Sequence, residues 1–126
     1  MVDIHRSIVI IDDDARVLES LESLFEADGH QVQLFSSAEA FLASNAASTV
    51  DYIVSDIGLP NMTGLELLAI VRSSVRNTQV VLITGRPSEH SETFCLERGA
   101  VGFFRKPCDG RRLLSLINTL SQVPNS

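Results

Sequence analysis

The sequence predicts an α/β domain in which a five-stranded parallel sheet is covered by helices on both faces. Short apolar runs alternate with segments whose apolar residues recur at helical spacing, and the order is that of five βα units. The apolar runs are continuous, which is typical of strands buried on both faces of a sheet. We therefore expect a doubly wound fold.

The composition predicts one domain over residues 1–126, with terminal tails at 1–6 and 122–126. The net charge of -6 argues against direct binding of nucleic acid or of an anionic membrane. No apolar run approaches the roughly 20 residues of a membrane span, and the first residues lack a signal-peptide core. Cys95 and Cys108 match no metal or redox spacing, so we expect inert packing thiols in a soluble, unprocessed, cytoplasmic chain.

The first two βα units are predicted from apolar runs and helix-end signals. Ser7 to Ile11 is the first strand, and Gln31 to Phe35 is the second. Gly29 ends the helix between them, because glycine accepts a left-handed φ. Ser36 and Glu39 form a capping-box pattern that opens a second, short helix. The first helix presents one apolar face, made of Val17, Leu18, Leu21, Leu24 and Phe25.

The remaining units follow the same rhythm. Residues 56–61 are predicted to form a loop after the third strand, because Gly58 and Pro60 would interrupt a regular element there. Thr63 with Glu66 is a second capping-box pattern. Gly99 ends the fourth helix. The predicted strands are 52–55, 80–84 and 102–105, and the predicted helices are 65–71, 88–98 and 109–121.

Polar residues follow four of the five strands, where open parallel sheets bind ligands. They are Asp12 and Asp13, then Asp56, Thr84 and Lys106. Three carboxylates at one edge repel one another unless a cation lies among them. Mg²⁺ prefers carboxylates, waters and phosphate oxygens. This edge is therefore predicted to bind Mg²⁺.

Each of these residues also has an ordinary structural interpretation. One aspartate of the first cluster, Asp14 in our interpretation, serves as a helix N-cap. An aspartate at a strand end, such as Asp56, is most often a turn residue. Beside a metal-binding pair, however, a carboxylate nucleophile that forms an acyl phosphate explains Asp56 better. A threonine at a strand end, such as Thr84, often reflects β-propensity alone.

Lys106 is the only lysine in the chain, because every other basic side chain of the Lys and Arg class is an arginine. A compact ammonium that reaches a phosphoryl oxygen in a tight site explains this exception, since a planar guanidinium would not fit there. Pro107 follows, so the Lys106-Pro107 bond is a candidate cis peptide. Gly85, next to Thr84, leaves clearance for an approaching phosphate.

On these residues the chain resembles the receiver domain of bacterial response regulators over almost its whole length. Asp12-Asp13, Asp56, Thr84 and Lys106-Pro107 fall in the order and spacing of that family. The loop from Asp56 to Gly64, with Pro60, is similar to the family's loop as well. The resemblance implies a flavodoxin-like fold with strand order 2-1-3-4-5.

The resemblance also implies the chemistry. Asp56 would accept a phosphoryl group from a sensor histidine kinase or a phosphotransfer protein. Mg²⁺ would be bound by Asp13, Asp56 and the carbonyl of Gly58, with Asp12 assisting through water. The domain would signal rather than act as an enzyme, apart from its own phosphoryl transfer and autodephosphorylation.

Signal output is implied in the same way. Thr84 and Lys106 would hold the phosphoryl oxygens, and Phe103 would be the aromatic switch residue, while Phe104 on the opposite face belongs to the core. Movement of Phe103 would remodel the face made by the fourth helix, fifth strand and fifth helix, through which we expect a phosphorylation-dependent homodimer.

Three alternatives remain at this stage. The run that ends in Asp12-Asp13-Asp14 also resembles the start of haloacid-dehalogenase-like phosphatases, although Ala15 and Arg16 depart from that pattern. A flavin-binding flavodoxin would need a phosphate cradle where these carboxylates stand. A phosphorylation-independent scaffold would not need the complete set of site residues.

Overall fold

The computed structural model describes residues 5–46, 49–74, 77–85 and 91–122. Strands and helices alternate along the chain, as the sequence predicts. The strands are β1 Ser7–Ile11, β2 Gln31–Phe35, β3 Tyr52–Asp56, β4 Gln79–Thr84 and β5 Gly102–Arg105. The helices are α1 Ala15–Ala27, α2 Ala38–Ala43, α3 Gly64–Ser74, α4 Glu92–Glu97 and α5 Gly110–Gln122.

The five strands form one parallel sheet in the order β2-β1-β3-β4-β5, which confirms the predicted topology. The order places β3 in the centre, with β1 beside it. Their carboxyl ends, with those of β4 and β5, therefore lie along one edge. This edge carries every polar residue that the sequence analysis singled out after a strand.

Two hydrophobic layers cover the sheet, one on each face. The first contains Val9, Ile53 and Leu82 and packs against α2, α3 and α4. The second contains Ile10 and Val54 and packs against α1 and α5. Alternate residues of each strand enter opposite layers, and burial on both faces explains the continuous apolar runs.

The helix ends agree with the sequence in part. The box of Thr63 and Glu66 is confirmed: Thr63 N–H donates to Glu66 Oε1 at 2.9 Å, and Glu66 N–H donates to Thr63 Oγ1 at 3.2 Å. The box at Ser36 is wrong, because α2 is capped by Ser37, whose side chain accepts from Ala40 N–H. Glu39 instead accepts a hydrogen bond from Met62 N–H, 3.4 Å away.

Other boundaries shift by a few residues. Asp56 is the last residue of β3 rather than the first of the loop, and α3 continues to Ser74. The helix predicted at 88–98 is observed as Glu92–Glu97, and its predicted start at 88–90 lies outside the described residues. Among the described helices, none combines the length and apolar character needed to span a bilayer.

Hydrogen bonds at the amino-terminal edge of the sheet attach α5 to it. Tyr52 Oη lies 3.1 Å from Ser121 Oγ, and the Arg6 guanidinium donates to the Ser121 carbonyl at 3.1 Å. The Arg6 N–H donates to His30 Nδ1, so Nε2 carries the proton of the neutral ring and donates to Asn118 Oδ1 at 2.9 Å. These bonds lie at the end of the sheet opposite the acidic edge.

Candidate functional site

The carboxyl ends of β1 and β3 bring three aspartates together. One carboxylate oxygen from each of Asp12, Asp13 and Asp56 lies within 4.8 Å of the others. Asp12 is 1% exposed and Asp56 is 7% exposed, whereas Asp13 is exposed. Within the described part of the chain, this is the group of acidic, histidine or cysteine side chains whose spacing fits a metal ion.

The turn after β1 positions the first carboxylates. Asp12 N–H donates to the Phe35 carbonyl of β2, and Asp12 Oδ1 accepts from Asp14 N–H at 2.9 Å. Asp14 then caps α1 by accepting from Arg16 N–H, as the sequence predicts. One oxygen of Asp12 is thus engaged in the turn, and Oδ2 faces the site.

The close approach of α3 positions Asp56. Asp56 Oδ1 accepts from Gly58 N–H at 3.2 Å, and the Gly64 N–H donates to the Ile57 carbonyl. A Cβ on Gly64 would lie 2.5 Å from the Asp56 carbonyl oxygen. Only glycine allows this approach, which explains a glycine inside the first turn of α3.

Lys106 follows β5 and reaches into the acidic group. Its Nζ lies 2.8 Å from Asp12 Oδ2 and 3.4 Å from Asp56 Oδ2. Its own N–H donates to the Thr84 carbonyl, and the Lys106–Pro107 peptide bond is cis. The only lysine of the chain is therefore the ion-pair partner of two of the three aspartates.

Burial and charge act in opposite directions on these groups. Burial raises the pKa of Asp12, and the close contact with the Lys106 ammonium and the hydrogen bond from Asp14 N–H offset that rise only in part. For Lys106, burial is the largest single influence and lowers the pKa, but Asp12 and Asp56 together raise the pKa above its usual value. The two aspartates therefore stabilise the charged form of Lys106 by more than burial destabilises it. For Asp12 the balance is the opposite, and its negative charge is under-compensated: the contacts with Lys106 and Asp14 do not make up for the loss of water.

The donor set fits a hard divalent cation. Asp12 Oδ2 is buried and has no hydrogen bond of good geometry, although Lys106 Nζ is 2.8 Å away, so this contact is an ion pair. Three carboxylates that converge on one point, with exposed space beside Asp13, suit an ion that keeps several waters. The role of the Gly58 carbonyl stays a prediction.

The predicted switch residues lie on the face of the sheet that α4 covers. Thr84 is the last residue of β4 and is 5% exposed. Phe103 is half-buried against the layer that contains Leu82, and Phe104 packs in the opposite layer. A Cβ on Gly85 would lie 3.4 Å from Lys106 Cδ, an ordinary contact.

Two features of the site are missed by sequence reasoning. Arg105 stands over the Phe103 ring, with Cζ 5.3 Å from its centroid. A cavity of about 370 Å³ also opens beside Lys106. Neither feature has a clear pattern in the sequence, because arginine is frequent in this chain and the cavity is lined by segments that are far apart in the sequence. The cavity is lined by Asp14, Arg16, Val17, Ser20, Leu21, Ile83, Lys106, Pro107 and Cys108.

The chain is similar to known proteins across this whole arrangement. Residues 8–118 match the family model of the response regulator receiver domain. The transcriptional regulatory protein FixJ of Bradyrhizobium diazoefficiens is 32% identical over 112 residues, or 89% of this chain and 55% of that protein. The response regulator TodT of Pseudomonas putida is 34% identical over 110 residues, or 87% and 48% of the two chains.

Solved structures agree with this match. A CheY-like receiver domain from Methanospirillum hungatei has a TM-score of 0.83 and 29% identity, covering 93% of this chain and 94% of its own. FixJ-N has a TM-score of 0.82 and 29% identity, with 100% and 99% coverage. The chain spans about half or less of the length of the first curated relatives that it matches.

Proposed function

The chain belongs to the response regulator receiver domain family, and from this membership we propose that Asp56 accepts a phosphoryl group from a histidine kinase or phosphotransfer protein. An Asp56 carboxylate oxygen attacks the phosphorus, and the bond from phosphorus to the donor imidazole nitrogen breaks. The electron pair of that bond stays on the imidazole. The product is an acyl phosphate on this chain.

One observation carries the proposal: Asp56 lies beside two further carboxylates and a lysine whose Nζ is 3.4 Å from its Oδ2. A turn residue needs none of these neighbours. Lys106 would neutralise charge on the transferring group, and the nearby N–H of Gly58 holds the other Asp56 oxygen in place. Positioning and electrostatics supply the rate enhancement.

Asp13 and Asp56 would bind Mg²⁺, and Asp12 would assist through water; when bound, the ion would supply positive charge that stabilises the transferring phosphoryl group. The under-compensated charge of Asp12 supports this assignment, because a cation beside Oδ2 would relieve it. The carbonyl of Gly58 would complete the protein ligands. Hydrolysis of the acyl phosphate by water would return the domain to its starting state.

Thr84 and Phe103 would transmit the change to a surface. The new phosphoryl group attracts the Thr84 hydroxyl, and Phe103 moves into the space that Thr84 leaves, which shifts a two-state equilibrium. The affected face is made by α4, β5 and α5. Arg105, Arg112 and Asp109 line a groove on this face, and these mixed charges favour a homodimer or a protein partner in the cytoplasm.

The experiment is a labelling reaction with a small phosphodonor and Mg²⁺, read by intact mass. We expect one phosphoryl group per chain that is stable in acid and labile to hydroxylamine. Asp56→Asn and omission of Mg²⁺ should each abolish it. The same label on the Asn variant would refute the assignment of Asp56.

A further inference from the structure

Arg105 is a neighbour of both predicted switch residues. It is the last residue of β5, and it pairs in register with Thr84 of β4. Phe103 lies two residues earlier, so the side chains of Phe103 and Arg105 extend from the same face of the sheet. The guanidinium carbon of Arg105 stands 5.3 Å from the centroid of the Phe103 ring, within the range of a cation–π contact.

The Phe103 ring has packed core on one side and open space on the other. It is half-buried against the layer that contains Leu82, its neighbour in the β4 register. On its outer side a groove of about 540 Å³ runs over β5, with Glu92 and Arg112 on its walls. The core therefore does not hold the ring on every side, and the contact with Arg105 contributes to its position.

We propose that Arg105 is a positioning residue that holds Phe103 in its half-buried place and thereby opposes acceptance of the phosphoryl group at Asp56. The proposal rests on the function proposed above, in which Phe103 moves toward Thr84. Thr84 is 5% exposed, whereas Arg105 is exposed and lines the outer groove, so movement of the ring toward Thr84 takes it out of that groove and away from the guanidinium. An exposed cation–π contact shifts a two-state ratio by about twofold to fivefold, so its loss should ease the transition by that factor.

The direction of this effect separates it from simple electrostatics. Arg105 is a cation near an anionic ligand, and removal of a cation weakens anion binding by Coulomb's law. Removal of a restraint on Phe103 strengthens anion binding instead, because a larger fraction of the molecules is then in the conformation that binds the anion. The two explanations therefore predict opposite changes in anion affinity when the Arg105 side chain is removed.

The test measures the affinity of the Mg²⁺-loaded protein for beryllofluoride, a phosphoryl mimic, by calorimetric titration. We expect Arg105→Ala to bind about twofold to fivefold more tightly than wild type. Arg105→Lys, which keeps a cation over the ring, should lie between them. Arg111→Ala, a matched loss of charge on the exposed first turn of α5, should leave the affinity unchanged.

A double-mutant cycle completes the test, because Arg105→Ala should have no effect when Phe103 is already leucine. Weaker binding by Arg105→Ala, or an equal effect with and without the ring, would overturn the proposal. Wild type that binds no beryllofluoride, or binds it equally well as Asp56→Asn, would instead contradict the proposed function itself.

Discussion

The Nζ of Lys106 lies 2.8 Å from Oδ2 of Asp12, a carboxylate that is 1% exposed. The lysine is thus nearer to Asp12 than to Asp56, at 3.4 Å. A phosphoryl group on Asp56 would compete with Asp12 for this ammonium. A cation bound beside Asp12 would compensate that carboxylate and release the lysine.

Lys106→Arg should slow phosphorylation of Asp56 by roughly tenfold or more, although it keeps the charge. The planar guanidinium cannot turn between two close carboxylates as a compact ammonium can. The measurement is the initial rate of labelling by intact mass, with Mg²⁺ affinity measured in parallel. Unchanged labelling would contradict the prediction, and a loss confined to Mg²⁺ affinity would indicate coupling to Asp12 and Asp13 instead.

Phe103→Ala should uncouple output from phosphorylation. In wild type we expect beryllofluoride to promote dimers through the face of α4, β5 and α5, since a 5- to 150-fold population shift corresponds to about 1–3 kcal/mol. The variant should stay monomeric while Asp56 is still labelled. Sedimentation velocity measures the difference. A wild-type monomer with and without the mimic would exclude dimerisation as the output and favour a different protein partner.

Ser37→Ala should lower the free energy of unfolding by about 1 kcal/mol, because it removes the side chain that accepts the Ala40 N–H at the start of α2. Ser36→Ala is the matched control, one residue away and exposed, and should change stability by less than about 0.5 kcal/mol. Urea denaturation of both variants is the measurement. Equal losses would show that the cap is shared between the two serines.

The thiol of Cys108 should react slowly at neutral pH. Burial is the main cause that raises its pKa above the ordinary value of 9.0, and Asp109 raises it further. The reactive thiolate is therefore scarcer at pH 7 than in a free cysteine, and the rate should reach half its maximum only above pH 9.0. Burial also raises the pKa of Cys95, which has no exposed surface and should react only after unfolding.

Iodoacetamide labelling followed by mass spectrometry measures both rates, with Cys108→Ser as the control that should stay unlabelled in native buffer. Rapid labelling of native Cys108 near pH 7 would contradict the expectation of an inert packing thiol.

The sequence predicts the strands best, because burial on both faces imposes continuous apolar runs. All five predicted strands lie within one residue of those observed. The helix ends are less certain: Ser36 and Ser37 are adjacent, both fit a cap, and only the path of the chain out of β2 selects Ser37. Contacts between residues that are far apart in the sequence cannot be predicted from such local patterns.

The candidate site shows the same division. The polar residues at the strand ends can be identified in the sequence, and the geometry of a parallel sheet brings them to one edge. The preference of Lys106 for Asp12, and the place of Arg105 over Phe103, depend on side-chain conformations that the whole packed structure selects.

The pairing of Tyr52 with Ser121 has a practical consequence. The chain has no tryptophan, and Tyr52 is its single tyrosine. Its ring is 5% exposed, and its hydroxyl lies 3.1 Å from a serine in the last turn of α5. Intrinsic ultraviolet fluorescence excited in the tyrosine band therefore comes from one buried ring, and it should report undocking of the terminal helix without any added dye.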